Sequence, residues 1–341
     1  MDSATAKAVL EKEFREIEKR NLAESVEVAF MGGEPLLNFE LIQLVSEWIW
    51  TLKLPFSLEL TVRTNGTLLT PAIKEWFKAN REKIDVGLSM DGLSAMNFEN
   101  RTDKAIDWMF FSENWPKQRV KIVLFKDTVH LLSKTVREMN AKSISFQVVI
   151  GEGFKWTKEA SGILERELIE LIPDYINSLE EAVECELFSH RVADFYPKYL
   201  VTETPFCGEA NNIISFDTDG SPCICHLFST PVLGYEKARY AWEHFRSEKT
   251  ISQDPKCVEC PIQKNCKTCV GMNYKMFGSI HQSAAAQTIC NAIKAKSRAC
   301  ALFYLKQIER KIANKEIVPR DDMHCAEKAY KVLENIESFA V

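Results

Sequence analysis

The first 184 residues of this 341-residue chain contain no cysteine, although the whole chain has 11. Uniform use of cysteine as a core residue would not leave half of the chain empty. The N-terminal residues also lack the apolar stretch of a secretion signal, which argues against a disulfide framework. Metal binding by a C-terminal module is the leading interpretation, because eight cysteines fall in one segment: Cys207, Cys223, Cys225, Cys257, Cys260, Cys266, Cys269 and Cys290.

Long hydrophobic runs and basic blocks are also missing. No apolar run approaches the roughly 18 residues of a membrane-spanning helix, so no membrane partner is expected. The chain has 43 lysines and arginines against 48 acidic residues, which gives a net charge of −5. This charge argues against nucleic acid as a partner. Hydrophobic residues at 46% and charged residues at 27% are typical of a globular protein and exclude extended disorder.

The order of the apolar segments predicts an α/β fold. A helix is predicted over 3–20, and helices at 39–52, from Thr70 and at 128–139 separate most of the strands that follow. Strands joined by helices imply a parallel sheet with right-handed crossovers. A long helix is predicted at 160–183, a linker at 191–206, and further helices from 284 with a break near Pro319. The five predicted strands are 26–30, 57–63, 85–89, 119–125 and 144–150.

Glycine and polar residues follow three of these strands. Parallel sheets bind ligands at the carboxyl ends of their strands. One such set alone is also typical of an ordinary turn between a strand and a helix, but three sets together favour a ligand site. The sets are Gly32, Gly33 and Glu34; Asn65 and Gly66; and Ser89, Asp91 and Gly92.

The cysteine spacing indicates which metal would bind. Cys257-x2-Cys260-x5-Cys266-x2-Cys269 is a tight run of four thiols, and Cys290 follows 21 positions later. A zinc ribbon needs about 15 residues between its two pairs, and it would leave the other cysteines unexplained. Eight thiols match two four-iron clusters with four sulfur ligands each. Zinc binding and purely structural thiols are the alternatives. Three other cysteines, at 185, 300 and 325, are expected to be small core residues.

These motifs, taken in order, resemble those of the radical S-adenosylmethionine (SAM) enzymes that carry a SPASM domain, over about residues 3 to 305. Each barrel motif alone is weakly specific, whereas the ordered set followed by the cysteine spacing is strongly specific. The matching segments are Gly32-Gly33-Glu34-Pro35-Leu36-Leu37, Thr64-Asn65-Gly66-Thr67, Ser89-Met90-Asp91-Gly92, Cys207-x12-Gly220-x4-Cys225 and the later cysteine run.

The resemblance implies an α/β architecture: a partial (β/α)6 TIM-like barrel lacking its first strand, then a cysteine-rich SPASM iron–sulfur module and C-terminal helices. The corresponding domains are 1–155 for the incomplete barrel, 156–204 for connecting helices, 205–291 for the SPASM domain and 292–341 for the C-terminal helices. SAM would be bound by the family's strand-end positions, which here are Gly32, Gly33, Glu34, Asn65, Ser89 and Arg101. For Arg101, a solvated charge at a helix end is an equal alternative.

Two auxiliary 4Fe–4S clusters are implied for the SPASM module. The family pattern places one on Cys207, Cys225 and Cys269, and leaves its fourth ligand open. Cys223 either fills that position or is an unligated thiol beside the cluster. Asp219-Gly220 is typical of a hairpin turn in this module. The other cluster falls on the remaining thiols, Cys257, Cys260, Cys266 and Cys290.

The chain departs from the family at its defining motif. The Cys-x3-Cys-x2-Cys loop that binds the family's catalytic 4Fe–4S cluster is absent, since the 31 residues before Gly32 contain no cysteine. Either the functional protein is longer than this chain, or the chain is a degenerate relative without radical chemistry. We expect that the chain as it stands cannot cleave SAM. If a first strand is missing, strand 26–30 is an open apolar edge, and the chain is expected to aggregate.

The residue after Cys225 distinguishes this chain from the sulfatase maturases, which have an aspartate there. His226 is a candidate base, a donor to a cluster sulfide, or a surface residue. The resemblance implies a cytoplasmic enzyme that modifies a peptide or protein side chain by 5′-deoxyadenosyl-radical hydrogen abstraction and takes electrons from a low-potential donor. The alternative is a catalytically inactive, cluster-bearing binding or electron-transfer relative.

Overall fold

The structure is a computed structural model, and it contains nine strands and twelve α-helices among the residues described below. The strands are β1 (Ser25–Phe30), β2 (Ser57–Thr64), β3 (Asp85–Leu88), β4 (Val120–Leu124), β5 (Ile144–Val148), β6 (Glu203–Pro205), β7 (Ser215–Phe216), β8 (Pro222–Cys223) and β9 (Thr250–Ser252). The helices are α1 (Ser3–Arg20), α2 (Phe39–Ile49), α3 (Pro71–Ala79), α4 (Trp108–Asn114), α5 (Leu132–Met139), α6 (Lys158–Tyr175), α7 (Thr230–Leu233), α8 (Tyr235–Phe245), α9 (Pro255–Val258), α10 (Val270–Phe277), α11 (Ala284–Ala313) and α12 (Arg320–Asn335).

The described residues form two compact units. They are residues 1–92, 96–97, 104–117, 120–139, 144–150, 154–176, 186–199, 203–205, 213–248, 250–266, 269–281 and 284–338. The first unit comprises 1–89, 104–120 and 208–248, and the second comprises 90–103, 121–207 and 249–341. Within the described residues, no helix is both long and apolar enough to cross a membrane. The domain boundaries expected from the sequence remain a prediction.

A three-stranded parallel sheet organises the first unit. Its strand order is β1-β2-β3, with Ser25 opposite Ser57 and Thr61 opposite Asp85. The predicted caps are present: Asn38 accepts a hydrogen bond from the Leu41 amide at the start of α2, and Thr70 caps α3 in the same way. The parallel arrangement predicted for these three strands is therefore confirmed.

The two faces of this sheet differ in polarity. Because side chains alternate along a strand, Leu60 and Val62 lie on one face with Val86, and all three are buried. The opposite face carries charges: the Thr61 hydroxyl donates to Glu27 at 2.6 Å, and Arg63 is exposed. Parallel sheets covered on both faces are apolar on both. The charged face is therefore suited to polar contacts rather than to a second hydrophobic layer.

A short antiparallel hairpin, β7–β8, also belongs to the first unit. Gly220 forms its turn with φ +83°, as the Asp219-Gly220 pair predicts, and Ser215 pairs with Cys223. A Cβ at Gly220 would lie 2.9 Å from the Thr5 methyl of α1, so the turn packs closely against this helix. The hairpin places Cys223 at the end of β8.

The second unit contains the pairs β4–β5 and β6–β9 and several long helices. Arg298 of α11 donates to Glu165 of α6 at 2.7 Å, and the Glu165 side chain is only 2% exposed. Arg298 also donates to the carbonyl of Leu333 in α12 at 2.8 Å. One guanidinium thus connects three helices.

Two sequence expectations change in the second unit. Val192 and Phe195, placed in the predicted linker 191–206, are buried in a core cluster with residues of α11 and α12. The predicted helix 128–139 begins as a 3-10 turn, Val129–Leu131, and continues as α5. The linker was predicted from the prolines and mixed polarity of the segment, which do not reveal which of its apolar residues find a partner.

Candidate ligand and metal sites

Glu34 occupies the point where the carboxyl ends of β1 and β2 meet. Its Oε1 accepts hydrogen bonds from the Thr64 hydroxyl at 2.6 Å and from the Leu36 amide at 3.1 Å. Its Oε2 accepts from the Asn65 amide at 2.8 Å. The half-buried carboxylate thereby joins the segment after β1 to the segment after β2, and it retains free lone pairs for another donor.

The turn after β2 is ordered by a second set of hydrogen bonds. The Thr64 hydroxyl accepts from the Gly66 amide at 3.0 Å while it donates to Glu34. The Asn65 side-chain oxygen accepts from both the amide and the hydroxyl of Thr67. Gly66 has φ +76°, and a Cβ there would lie 2.9 Å from Ile106, so this position requires glycine. The sequence motif alone predicts no role for Thr64.

Open space surrounds the two glycines that precede Glu34. A Cβ at Gly33 would meet no atom within 4 Å, and one at Gly32 would meet only the Glu34 amide at 4.0 Å. Ser89 follows β3 in the same sheet, and its amide donates to the Thr64 carbonyl at 2.8 Å. The structure therefore brings together Glu34, Asn65 and Ser89, all predicted from the sequence, with room for a ligand beside them.

Asp91 and Gly92 pack against β4 and α5 of the second unit rather than facing an open ligand site. Asp91 is fully buried, and its carboxylate accepts from the Val123 amide of β4 at 2.7 Å. Gly92 has φ +107°, and a Cβ there would lie 2.4 Å from the Thr135 methyl of α5. These two residues anchor the chain within the second unit.

Three cysteines of the second unit lie on a continuous series of tight turns. Four backbone amides in this segment each donate to the carbonyl three residues earlier, at 2.7 to 3.1 Å. The pairs are Cys257 with Asp254, Cys260 with Cys257, Gln263 with Cys260, and Cys266 with Gln263. Each of these bonds joins residues three apart in the chain, as in a 3-10 turn. We call residues 254–266 the turn ladder. Its backbone hydrogen bonds restrict the positions of Cys257, Cys260 and Cys266, and side-chain bonds such as those of Asn265 with the Arg191 backbone add to them.

Cys290 of α11 completes a group of four thiols. Burial is the main reason that the pKa of Cys257 rises to about 11 and that of Cys266 to about 12, and the pKa of Cys260 is also raised. Mutual repulsion of the thiolates adds to this in every one of the six possible pairs. The Lys294 ammonium lowers the same three pKa values. The four residues thus share one region, and Lys294, which sequence analysis missed, adjoins them.

This thiol group differs from a site for a single metal ion. Among the residues that the structure describes, no three His, Cys, Asp or Glu side chains converge closely enough to hold one ion. A four-iron cluster takes one thiolate on each iron, so its ligands surround a larger volume and need not converge on a point. Four soft thiol donors around a shared region fit such a cluster.

The other predicted cluster is less complete. Cys223 and Cys225 are buried in the first unit, and burial raises the pKa of Cys223 to about 12, with further contributions from Asp217 and Cys225. Cys269 belongs to the second unit. Cys207 lies outside the described residues, as does the predicted SAM ligand Arg101. The assignment of this cluster therefore stays a prediction.

His226 begins a short 3-10 turn directly after Cys225, and its side chain is exposed. Its carbonyl accepts from the Ser229 hydroxyl at 2.7 Å. Exposure leaves the ring accessible to a ligand, and the candidate base remains a prediction. Of the three cysteines expected in the core, Cys300 is 2% exposed, and Cys325 packs against the hydrophobic core formed by α11 and α12. Cys185 lies outside the described residues.

The fold is similar to that of an anaerobic sulfatase-maturing enzyme. Native anSMEcpe with bound AdoMet aligns over 90% of this chain and 89% of its own, with a TM-score of 0.60 and 18% identity. The same enzyme with bound AdoMet and the Cp18Cys peptide aligns over 86% and 87%, with a TM-score of 0.58 and 18% identity. The resemblance predicted from the motifs is thus confirmed at the level of the fold, and the mixed α/β class with it.

Sequence comparisons give shorter matches. An uncharacterized protein of Methanocaldococcus jannaschii is 29% identical over 140 residues, which are 38% of this chain and 48% of that protein. A GTP 3′,8-cyclase of Clostridium acetobutylicum is 35% identical over 85 residues, which are 24% of this chain and 25% of the cyclase, and it fits the radical SAM superfamily. The chain therefore spans half or less of these curated relatives. No family model matches the chain.

Proposed function

We propose that this chain is a radical SAM/SPASM protein that binds SAM at the ends of β1 to β3 and carries auxiliary 4Fe–4S clusters. The observation that supports SAM binding is the Glu34 carboxylate, which is held between two strand ends and follows two glycines with open space around them. A carboxylate with free lone pairs is suited to the SAM ammonium group. Ser89 and Asn65 supply neutral hydrogen-bonding groups at the same edge of the sheet.

Four thiols of the second unit are proposed to hold one auxiliary cluster: Cys257, Cys260, Cys266 and Cys290. The cluster would supply one-electron chemistry when bound. The chain's own contribution is to fix three of the ligands on the turn ladder and to bury them partly, which limits the access of water to the sulfur atoms. Cys207, Cys225 and Cys269, with Cys223 as the candidate fourth ligand, are proposed for the second auxiliary cluster.

The proposed substrate is a peptide or protein side chain, from which the 5′-deoxyadenosyl group of SAM would abstract hydrogen in the cytoplasm. The related fold of anSMEcpe, solved with bound AdoMet and a peptide, supports this class of substrate. The charged face of the β1–β3 sheet offers hydrogen-bonding partners to a peptide substrate. A low-potential electron donor is the second proposed partner.

A catalytically inactive, cluster-bearing relative is the other candidate function. It is favoured by one observation, the absence of cysteine from the first 184 residues, which leaves no thiol ligands there for a catalytic cluster. The proposed activity and this alternative are separated by reductive SAM cleavage. We expect no 5′-deoxyadenosine from the purified chain after anaerobic reconstitution, and its formation would refute this expectation.

Cluster and SAM binding are tested separately. Anaerobic reconstitution with iron and sulfide should give about four fewer iron atoms per chain in Cys257→Ala than in the unchanged chain, because each cluster holds four irons. Cys325→Ala is the matched control and should keep the full iron content. Calorimetric titration with SAM should show binding that Glu34→Ala removes and Glu59→Gln retains. Unchanged iron in Cys257→Ala, or unchanged SAM affinity in Glu34→Ala, would contradict the respective assignment.

A further inference from the structure

A cavity of about 400 Å³ opens in the second unit, and Cys260 forms part of its wall. Three lysines, Lys158, Lys256 and Lys294, line it together with two acidic residues, Glu259 and Glu337. The lysines outnumber the glutamates by one, which gives the cavity a small net positive charge. The cavity therefore places fixed cations beside Cys260.

The three lysines are not equivalent. Lys158 is paired with Glu337 at 2.7 Å, so its charge is largely compensated. Lys256 is exposed. Lys294 is half-buried, and it makes no ion pair with any residue that the structure describes, although its charge contributes at longer range to lowering the pKa of Glu337. Lys294 is thus the cation with the least compensation and the least water around it.

The position of Lys294 on α11 directs it towards the thiols. Residues four apart on a helix are neighbours on one face, so Lys294 lies one turn beyond Cys290 and on the same side. Lys294 also lines the same cavity as Cys260 and is half-buried there, whereas Lys256, which precedes Cys257 in the chain, is exposed. Water and salt screen an exposed charge more strongly than a half-buried one, so Lys294 is the lysine expected to act on the sulfur atoms.

We propose that Lys294 is a positioning residue that raises the reduction potential of the cluster held by Cys257, Cys260, Cys266 and Cys290. The proposal rests on the cluster assignment made under the proposed function. Reduction adds one electron to the cluster and increases its negative charge. A fixed ammonium nearby stabilises the reduced state more than the oxidised state, and low water content preserves this difference.

The test is a redox titration of the reconstituted full chain, followed by electron paramagnetic resonance. The relevant signal is identified as the one lost in Cys257→Ala. Lys294→Gln should shift the midpoint of this signal to a more negative potential and leave other cluster signals in place. Lys294→Arg should restore the midpoint, because it keeps the charge. Lys256→Gln, which removes a cation from the same cavity, should leave the midpoint unchanged.

Each other outcome overturns a defined part of the reasoning. An unshifted midpoint in Lys294→Gln with normal iron content refutes the role of Lys294 alone. An equal shift in Lys256→Gln shows a general surface-charge effect and refutes it as well. If iron content and signals are the same in Cys257→Ala and the unchanged chain, the cluster assignment fails, and this proposal fails with it. Iron analysis distinguishes these cases.

Discussion

Replacing Glu34 by glutamine tests the hydrogen-bond network at the strand ends without changing side-chain size. Three donors point at the carboxylate: two at Oε1 and one, the Asn65 amide, at Oε2. Glutamine offers only one acceptor oxygen, and its NH2 group must face a donor in either orientation. The favourable orientation keeps the bonds from Thr64 and Leu36 and sets the new NH2 against the Asn65 amide.

The expected free-energy cost of Glu34→Gln follows from the loss of the hydrogen bond from the Asn65 amide. A hydrogen bond to a charged group contributes about 1.5–3 kcal/mol, and the half-buried position of Glu34 favours the lower part of this range. At about 1.4 kcal/mol per factor of ten, the Asn65 amide should exchange its hydrogen roughly 10- to 150-fold faster if local opening limits exchange. The amides of α1, in the same unit, should be unaffected.

Hydrogen exchange followed by mass spectrometry or NMR gives this local measurement. Glu59→Gln is the matched control: it makes the same substitution at an exposed position of β2, where no hydrogen bond to the Glu59 carboxylate is seen in the described structure. If Asn65 and Gly66 exchange at the same rate in Glu34→Gln and Glu59→Gln, the carboxylate does not join the two strand ends. A uniform increase across the unit would also refute a local role.

Three further predictions concern stability. The pKa of the Cys257 thiol is raised from 9.0 to about 11, and that of Cys266 to about 12. The iron-free chain should therefore be most stable below pH 9 and lose free energy of unfolding as the pH rises from 9 through these values. The iron-loaded chain should lack this pH dependence. Gly92→Ala should lower the free energy of unfolding in urea by about 1–3 kcal/mol because of the positive φ, and by more because of the clash with α5. A loss below about 0.5 kcal/mol, which is typical of a neutral surface substitution, would contradict this geometry. Glu165→Ala should cost about 3–5 kcal/mol because it leaves the Arg298 guanidinium without its buried partner, whereas a cost typical of surface pairs, about 0–1 kcal/mol, would be inconsistent with that burial.

Local patterns in the sequence predicted much of the first unit. Alternation over 57–63 and the caps at Asn38 and Thr70 are short-range signals, and the strand and helices that they predict begin within one residue of those observed. Glu34, Asn65 and Ser89 could be placed at one edge because parallel strands end together. The helix predicted to 52 ends at Ile49, a difference typical of helix ends.

Long-range contacts could not be predicted in the same way. Thr64 lies within a recognised motif, but its role depends on a carboxylate 30 positions earlier. The linker predicted at 191–206 contains Phe195, which is buried by helices more than 100 residues later in the chain. For Lys294, the spacing of four from Cys290 was a usable signal, although the proximity of the other three thiols depends on tertiary structure.

The turn ladder has a consequence for the order in which the protein is assembled. Small zinc domains remain unfolded without metal, since the ion itself must offset the entropy of ordering their ligands. Here backbone hydrogen bonds from Asp254 to Cys266 already restrict three of the four cysteines proposed as cluster ligands. With the proposed cluster, much of that entropy would be lost during folding of the polypeptide itself. Iron and sulfide would then enter an ordered framework, so synthesis of the chain and maturation of the proposed cofactor would be separable in time.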